Sequence, residues 1–172
     1  MAHVLILGQT LSGKTMLAKK LCAQYKAAGI SVLVHDPVND PEWDCDFKTA
    51  DFGEFFDVYN KSRGCAVFFD EAYEACDENK SEMIRTATRG RHRGHRNHYI
   101  AQRGTLVLRT IRDQCSSLFL FNSGLEDCKI HAAEWNAPII KQDAPFLETG
   151  EYFHKQRMRE ITRGHLFKDI KK

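Results

Sequence analysis

The chain has 172 residues, 42% apolar and 28% charged, the make-up of one globular domain rather than a collagen-like, coiled-coil or disordered chain. Lysine and arginine number 25 against 23 acids, a formal charge of +2 that excludes a histone-like polycation. The balance hides two opposed blocks: residues 36–78 hold thirteen acids and three bases, whereas Arg85–Arg112 holds eight arginines, three histidines and no acid.

A single domain of this length buries roughly 70% of its unfolded surface and needs no covalent staples. Its six cysteines form no CxxC pair, so free thiols in a reducing compartment are expected. The longest apolar stretches, Val4–Leu7, Ala66–Phe69 and Leu118–Phe121, fall far short of the roughly 20 residues of a membrane span. The N-terminus lacks a basic, then apolar, signal-like run, and a cytoplasmic location is expected.

In chain order, His3–Leu7 is an apolar run closed by Gly8, the pattern of a buried strand. Leu17, Leu21, Tyr25 and Ala28 then recur at helical spacing from Lys14, with Gly29 as the terminator. Ser31–His35 reads as a second strand and residues 36–50 as a loop. Phe52, Phe55, Phe56 and Tyr59 mark one face of a short helix, and Cys65–Phe69 is a third strand. Ser81 is placed to cap a helix running to Thr88. Asn97–Ala101 is a fourth strand, Thr105–Asp113 a short helix with Thr105 as its cap, and Ser117–Phe121 a fifth strand. Leu125–Trp135 reads as helical, and Phe146–Phe153 as a hairpin around Thr149-Gly150. Strands alternating with helices predict an α/β fold: a mostly parallel central sheet with helices on both faces and a C-terminal β-hairpin.

Gly8-Gln9-Thr10-Leu11-Ser12-Gly13-Lys14-Thr15 fits the phosphate-loop pattern G-x-x-x-x-G-K-[ST], between a predicted strand and a predicted helix. The glycines let backbone N–H groups approach phosphate oxygens, and the helix points its N-terminus at the anion. Lys14 reaches the β- and γ-phosphates of ATP, and the Thr15 hydroxyl suits Mg²⁺. Asp70 and Glu71 close the third strand. An aspartate there serves Mg²⁺, and the adjoining glutamate suits the base that activates water. Gln102 ends the fourth strand; if that strand lies between those of the phosphate loop and Asp70, its amide faces the γ-phosphate.

The arginine block admits three readings: a finger arginine acting on a neighbouring subunit, neutralisation of a nucleic-acid backbone, or internal pairing with the acids of 36–78. His92, His95 and His98 fall three apart, but the arginines and glycines around them do not make a ligand-bearing helix.

On GQTLSGKT at 8–15, CAVFFDEA at 65–72, TRGRHRGHRNHYIAQR at 88–103 and RTIRDQCSSLFLF at 109–121, the chain resembles the FtsK–HerA superfamily of ring-forming, ATP-driven DNA pumps. In size it is similar to the compact genome-packaging ATPases of viruses. The resemblance implies a RecA-like (ASCE) P-loop NTPase fold and an ATPase that translocates double-stranded DNA. It also implies a homo-oligomeric ring, a location in host cytoplasm or virion, and a viral or membrane docking partner in place of added domains. By position it implies phosphate binding by Lys14, Mg²⁺ service by Thr15 and Asp70, water activation by Glu71 and γ-phosphate sensing by Gln102. It also implies a finger arginine among Arg89, Arg91, Arg93 and Arg112, with Arg89 or Arg93 favoured because they lie just upstream of the Gln102 strand. Two alternatives stand beside it: a small-molecule or nucleotide kinase with Arg89–Arg96 as an arginine lid, and a nucleotide-dependent assembly or secretion ATPase.

Overall fold

The computed structural model describes residues 3–168. Eight strands form one sheet: β1 (His3–Leu7), β2 (Val32–His35), β3 (Phe47–Thr49), β4 (Ala66–Phe69), β5 (Arg96–Ala101), β6 (Cys115–Leu120), β7 (Glu151–Gln156) and β8 (Thr162–His165). Their order across the sheet is β3-β2-β4-β5-β1-β6-β7-β8. The first six pair parallel, and β6–β7 and β7–β8 pair antiparallel.

The helices are α1 (Lys14–Ala27), α2 (Phe52–Lys61), α3 (Ala72–Glu78), α4 (Lys80–Arg89), α5 (Arg109–Gln114), α6 (Leu125–Glu134) and α7 (Ile139–Asp143). Leu17, Ala18 and Cys22 of α1 pack with Val4, Ile6, Val32, Val34, Phe68 and Ile100 on one sheet face. The helices from α2 onward cover the other face, over Leu5, Leu7, Leu33, Val67, Phe69 and Tyr99. Because both faces are covered, the central strands read as unbroken apolar runs rather than as an alternation. Gly29 (φ 73°) ends α1 as expected: its N–H bonds the Lys26 carbonyl while that of Ile30 bonds Tyr25.

Four expectations need correction, and one helix was not expected. Residues 36–50 are not all loop: Phe47–Thr49 adds to the sheet edge as β3, which pairs with β2. Helix α3 had no periodic signal. Ser81 does not cap α4; its hydroxyl donates to Glu82, and the helix begins at Lys80. Thr105 caps nothing either. It sits in a 3-10 turn, Gly104–Leu106, with its hydroxyl donated to Asp127, and α5 starts only at Arg109. The C-terminal hairpin exists, but one strand later, between β7 and β8. Pro145 has no N–H for a ladder, and the Asn122 amide takes the Pro145 and Leu147 carbonyls, so 144–147 folds as a turn. The six cysteines are unbridged, as expected. No helix of the described residues is long and apolar enough to cross a membrane.

Candidate nucleotide site

The carboxyl ends of β1, β4 and β5 bring the predicted site together. β1 ends at Leu7, and the chain turns at Gly8 (φ 151°), where a Cβ would lie 2.6 Å from the Phe121 Cβ. Gly13 (φ 116°) sits at the N-cap of α1; a Cβ there would lie 2.8 Å from the Leu166 Cδ1. Gly8 thus needs glycine for conformation and for space, and Gly13 for conformation. Ser12 and Lys14 are buried, whereas Gln9, Thr10 and Leu11 form an exposed crest. The C-terminal hairpin supports the loop from behind: Gly150 N–H donates to the Ser12 carbonyl at 2.9 Å, and Leu166 N–H to that of Gly150 at 2.9 Å.

Lys14 Nζ folds back to the Gln9 carbonyl at 2.9 Å. Burial lowers its pKa, and the charges of Glu71 and Asp70 oppose that fall, so the ammonium faces both carboxylates. Asp70, at the end of β4, is buried; desolvation pushes its pKa up to about 6, helped by the charges of Glu71 and Asp36 and resisted by the Glu71 N–H and by Lys14. Glu71 follows in the left-handed region (φ 45°, ψ 50°), a strained conformation for a non-glycine residue that sets the direction of its side chain. Burial raises its pKa, against Lys14 and the neighbouring Gln102 amide. Its Oε2 is buried with no protein partner, as is the Ser12 hydroxyl. Such orphaned acceptors and hydroxyls suit a ligand that brings phosphate, water and a cation.

The condition set for Gln102 is met. β5 lies between β4 and β1, and Gly8 N–H donates to the Ala101 carbonyl at 3.3 Å, which puts Gln102 beside the loop. Gln9, Thr10, Gln102, Arg103, Leu125 and Asp127 line an adjoining open cleft of about 670 Å³. Thr15, on the first turn of α1, is partly exposed at the same end.

Two buried or half-buried partners had little sequence signal. Asp36, fully buried at the end of β2, accepts the Val38 and Asp40 N–H groups and adds negative charge beside Asp70. Its signal was its place between a strand and Pro37. Asp127 on α6 holds Arg103 at 3.0 Å and Thr105 at 2.9 Å, and nothing in the sequence marks that pairing.

The densest part of the arginine-rich run, Arg89–Arg96, lies elsewhere. Gly90–Arg93 forms a 3-10 turn, and the Gly64 N–H donates to the Arg93 carbonyl, so Arg89 and Arg93 sit where β4 and β5 begin. Six residues of β5 separate this pole from Gln102, about 20 Å. Arg89–Arg96 therefore form no lid over the chain's own phosphates, the arrangement that the kinase alternative invoked. Arg112 is not a finger: it is buried, with Glu134, Gly104 and Val107 as partners. Arg91 donates to the Gln114 carbonyl. Internal pairing with the acidic segment does not occur among the described residues: Lys19 pairs Asp40 and Glu42, and Lys26 pairs Asp44. His95 and His98 are spent on backbone and tyrosine hydrogen bonds.

No protein-family model matches the chain, and no curated protein sequence matches it. Solved structures do. The genome packaging NTPase B204 of Sulfolobus turreted icosahedral virus 2, in complex with AMPPCP, superposes with a TM-score of 0.80 at 16% identity, over 95% of this chain and 96% of that one. The pCW3 conjugation coupling protein TcpA, with ATPγS, gives 0.71 at 15% identity over 95% of this chain and 59% of that one. VirB4 of Thermoanaerobacter pseudethanolicus gives 0.71 at 12% identity over 95% and 88%. The shared feature is the fold, that of the P-loop ATPases: a mostly parallel sheet with helices on both faces.

Proposed function

We propose that the chain hydrolyses ATP to move double-stranded DNA, in viral genome packaging, as a homo-oligomeric ring. The observation that carries the reading is the convergence of Lys14, Asp70, Glu71 and Gln102 at one end of the sheet. The likeness to a genome packaging NTPase over nearly the whole of both chains supports it.

In this mechanism the loop N–H groups and the α1 N-terminus take the phosphates, and Lys14 swings from the Gln9 carbonyl to the β,γ-oxygens. Asp70 and the Thr15 hydroxyl would hold Mg²⁺. The described residues contain no cluster of three His, Cys, Asp or Glu able to hold a metal by themselves, so nucleotide oxygens and water would complete the shell. When bound, the ion polarises the phosphoryl oxygens. Glu71 accepts the proton of the attacking water, and its raised pKa makes it a better base. Gln102, between loop and base, positions that water and reports loss of the γ-phosphate. Arg89 and Arg93 lie away from their own nucleotide and act as a finger only on another copy. Arg89 is exposed, whereas Arg93 is half-buried and tied to the Asn60 carbonyl, which favours Arg89.

A second reading is an assembly or secretion ATPase with the same chemistry and a protein or filament as substrate, and a conjugation coupling protein shares the fold. ATPase turnover with and without duplex DNA, with native mass from the same sample, separates the two. The motor reading expects a ring mass and turnover that rises with DNA. It expects Glu71→Gln to abolish turnover and keep ATP binding. Turnover indifferent to DNA over a range of salt would leave only the second reading.

A further inference from the structure

Four guanidinium groups meet at the pole opposite the nucleotide site. Arg63 follows α2, Arg85 and Arg89 lie on α4, and Arg93 closes the 3-10 turn; with Phe56 and Tyr59 they line an open recess of about 420 Å³. The Arg85 guanidinium stands 5.7 Å from the Phe56 ring centroid, and Phe56 and Tyr59 stack 8° from parallel. Arg93 donates Nη1 to the Asn60 carbonyl, which fixes it inside the recess. Among the described residues the arginines that pair with carboxylates are Arg103, Arg109, Arg112 and Arg163, none of them here.

Four like charges in one recess repel each other, and a bound anion relieves that repulsion. Arginine adds a planar fork that matches phosphate oxygens two at a time, which lysine does not. Whether or not Arg89 also serves another copy, Arg63, Arg85 and Arg93 line the recess, and a recess receives what is inserted into it. The backbone of a duplex presents regularly spaced, protruding phosphates, which fit an open receiving site of this charge.

We propose that this recess seats backbone phosphates of duplex DNA. The inference rests on the DNA-motor reading and adds where the DNA is held, with Arg63, outside the arginine-rich run, as part of the seat. The recess is also where β4 and β5 begin, joined by the Arg96 N–H to the Cys65 carbonyl at 3.0 Å. Those two strands end in Asp70-Glu71 and in Gln102. DNA held here therefore acts on the starts of the strands whose ends carry the hydrolytic groups, and stimulation of turnover by DNA depends on the recess.

The test compares two double variants that lose the same charge. Arg63→Ala/Arg85→Ala empties half of the recess; Arg109→Ala/Arg159→Ala removes two exposed arginines elsewhere. Fluorescence anisotropy with a labelled duplex, from about 50 to 200 mM salt, reads affinity and its salt slope. The recess variant is expected to bind roughly tenfold more weakly or worse, with a slope lower by about two and DNA stimulation lost. The distal variant is expected to stay within about threefold of wild type. Arg63→Lys/Arg85→Lys is expected to keep the slope and lose part of the affinity, because charge remains and the fork does not. Equal weakening by the two alanine doubles, or no weakening by the recess variant, overturns the assignment alone. Failure of the wild type to bind duplex overturns both the assignment and the DNA reading. If the recess double does not fold, Arg63→Ala and Arg85→Ala singly carry the comparison, each with a slope change of about one.

Discussion

At Gly104 the chain passes so close to α6 that a side chain has no room: a Cβ there would overlap the His131 ring and lie 2.5 Å from the Leu7 Cδ1. Gly104 stands two residues beyond Gln102, so its backbone sets where the amide points. Gly104→Ala is expected to cost about 1–3 kcal/mol in urea unfolding and to lower kcat more than it raises KM. Unchanged unfolding with unchanged kcat would refute the close packing. Glu71 shows the converse, a bulky residue where glycine is the easy choice. Its left-handed backbone is a cost of about 1–2 kcal/mol that the surrounding fold sustains. The loop was legible at this scale because Gly8, Gly13, Lys14 and Thr15 must recur at fixed spacing for their backbone to wrap an anion. The crowding at Gly104 was not, because His131 is distant in sequence.

Between elements, Arg112 ties α5 to α6 and to the segment after Gln102. It reaches Glu134 at 2.7 Å and the Val107 and Gly104 carbonyls at 2.6 and 3.2 Å. The pair is largely shielded from water, so removing one partner leaves a poorly solvated charge and unsatisfied carbonyls. Arg112→Met is expected to destabilise by about 3 kcal/mol, and Arg112→Met/Glu134→Met by clearly less, measured by urea denaturation. Equal losses in the two variants would mean that the ion pair is not the source of the effect. The strands of the parallel core were legible because unbroken apolar runs suit a sheet covered on both faces. β3 was not: three partly exposed residues become a strand only because β2 is beside them. The hairpin was displaced for a similar reason, since Asn122 holds the preceding segment as a turn.

Across the whole molecule the charges sort by place. The acidic segment is held by Lys19 and Lys26 of α1, while the arginine pole stays uncompensated. Buried histidines add an acid sensitivity. Burial lowers the pKa of His98 to about 3 and that of His3 to about 4, against about 6.5 in the unfolded chain. Below pH 6.5 the unfolded chain takes up protons that the folded one refuses, so these two groups remove stability as pH falls, by about 1.4 kcal/mol per pH unit each. Asp70 acts in the opposite sense between its folded value, about 6, and its ordinary value of 3.8, because there the folded state holds the extra proton. Glu71, whose pKa burial also raises, acts as Asp70 does, but the two histidines, joined by the lowered pKa values of His35, His95 and His131, outweigh these two acids. Melting temperature is expected to fall steadily from pH 7 to 4.5, and His98→Gln to flatten the fall by about one proton. A profile level over that range would contradict the neutral, buried state of these rings.

By itself the sequence determined the local chemistry: a glycine-framed phosphate loop, an acid pair and a glutamine each at a strand end, and an uninterrupted cationic run. These are short-range facts, since loop conformation and strand ends follow from neighbours in the chain. Only the tertiary structure decided which strand ends share an edge. The order β4-β5-β1 puts Glu71 and Gln102 beside Lys14 and leaves Arg85, Arg89 and Arg93 at the far pole. Parallel strands separate their two ends across the sheet, so residues a few positions apart in sequence, Arg93 and Gln102, come to serve opposite faces of the molecule.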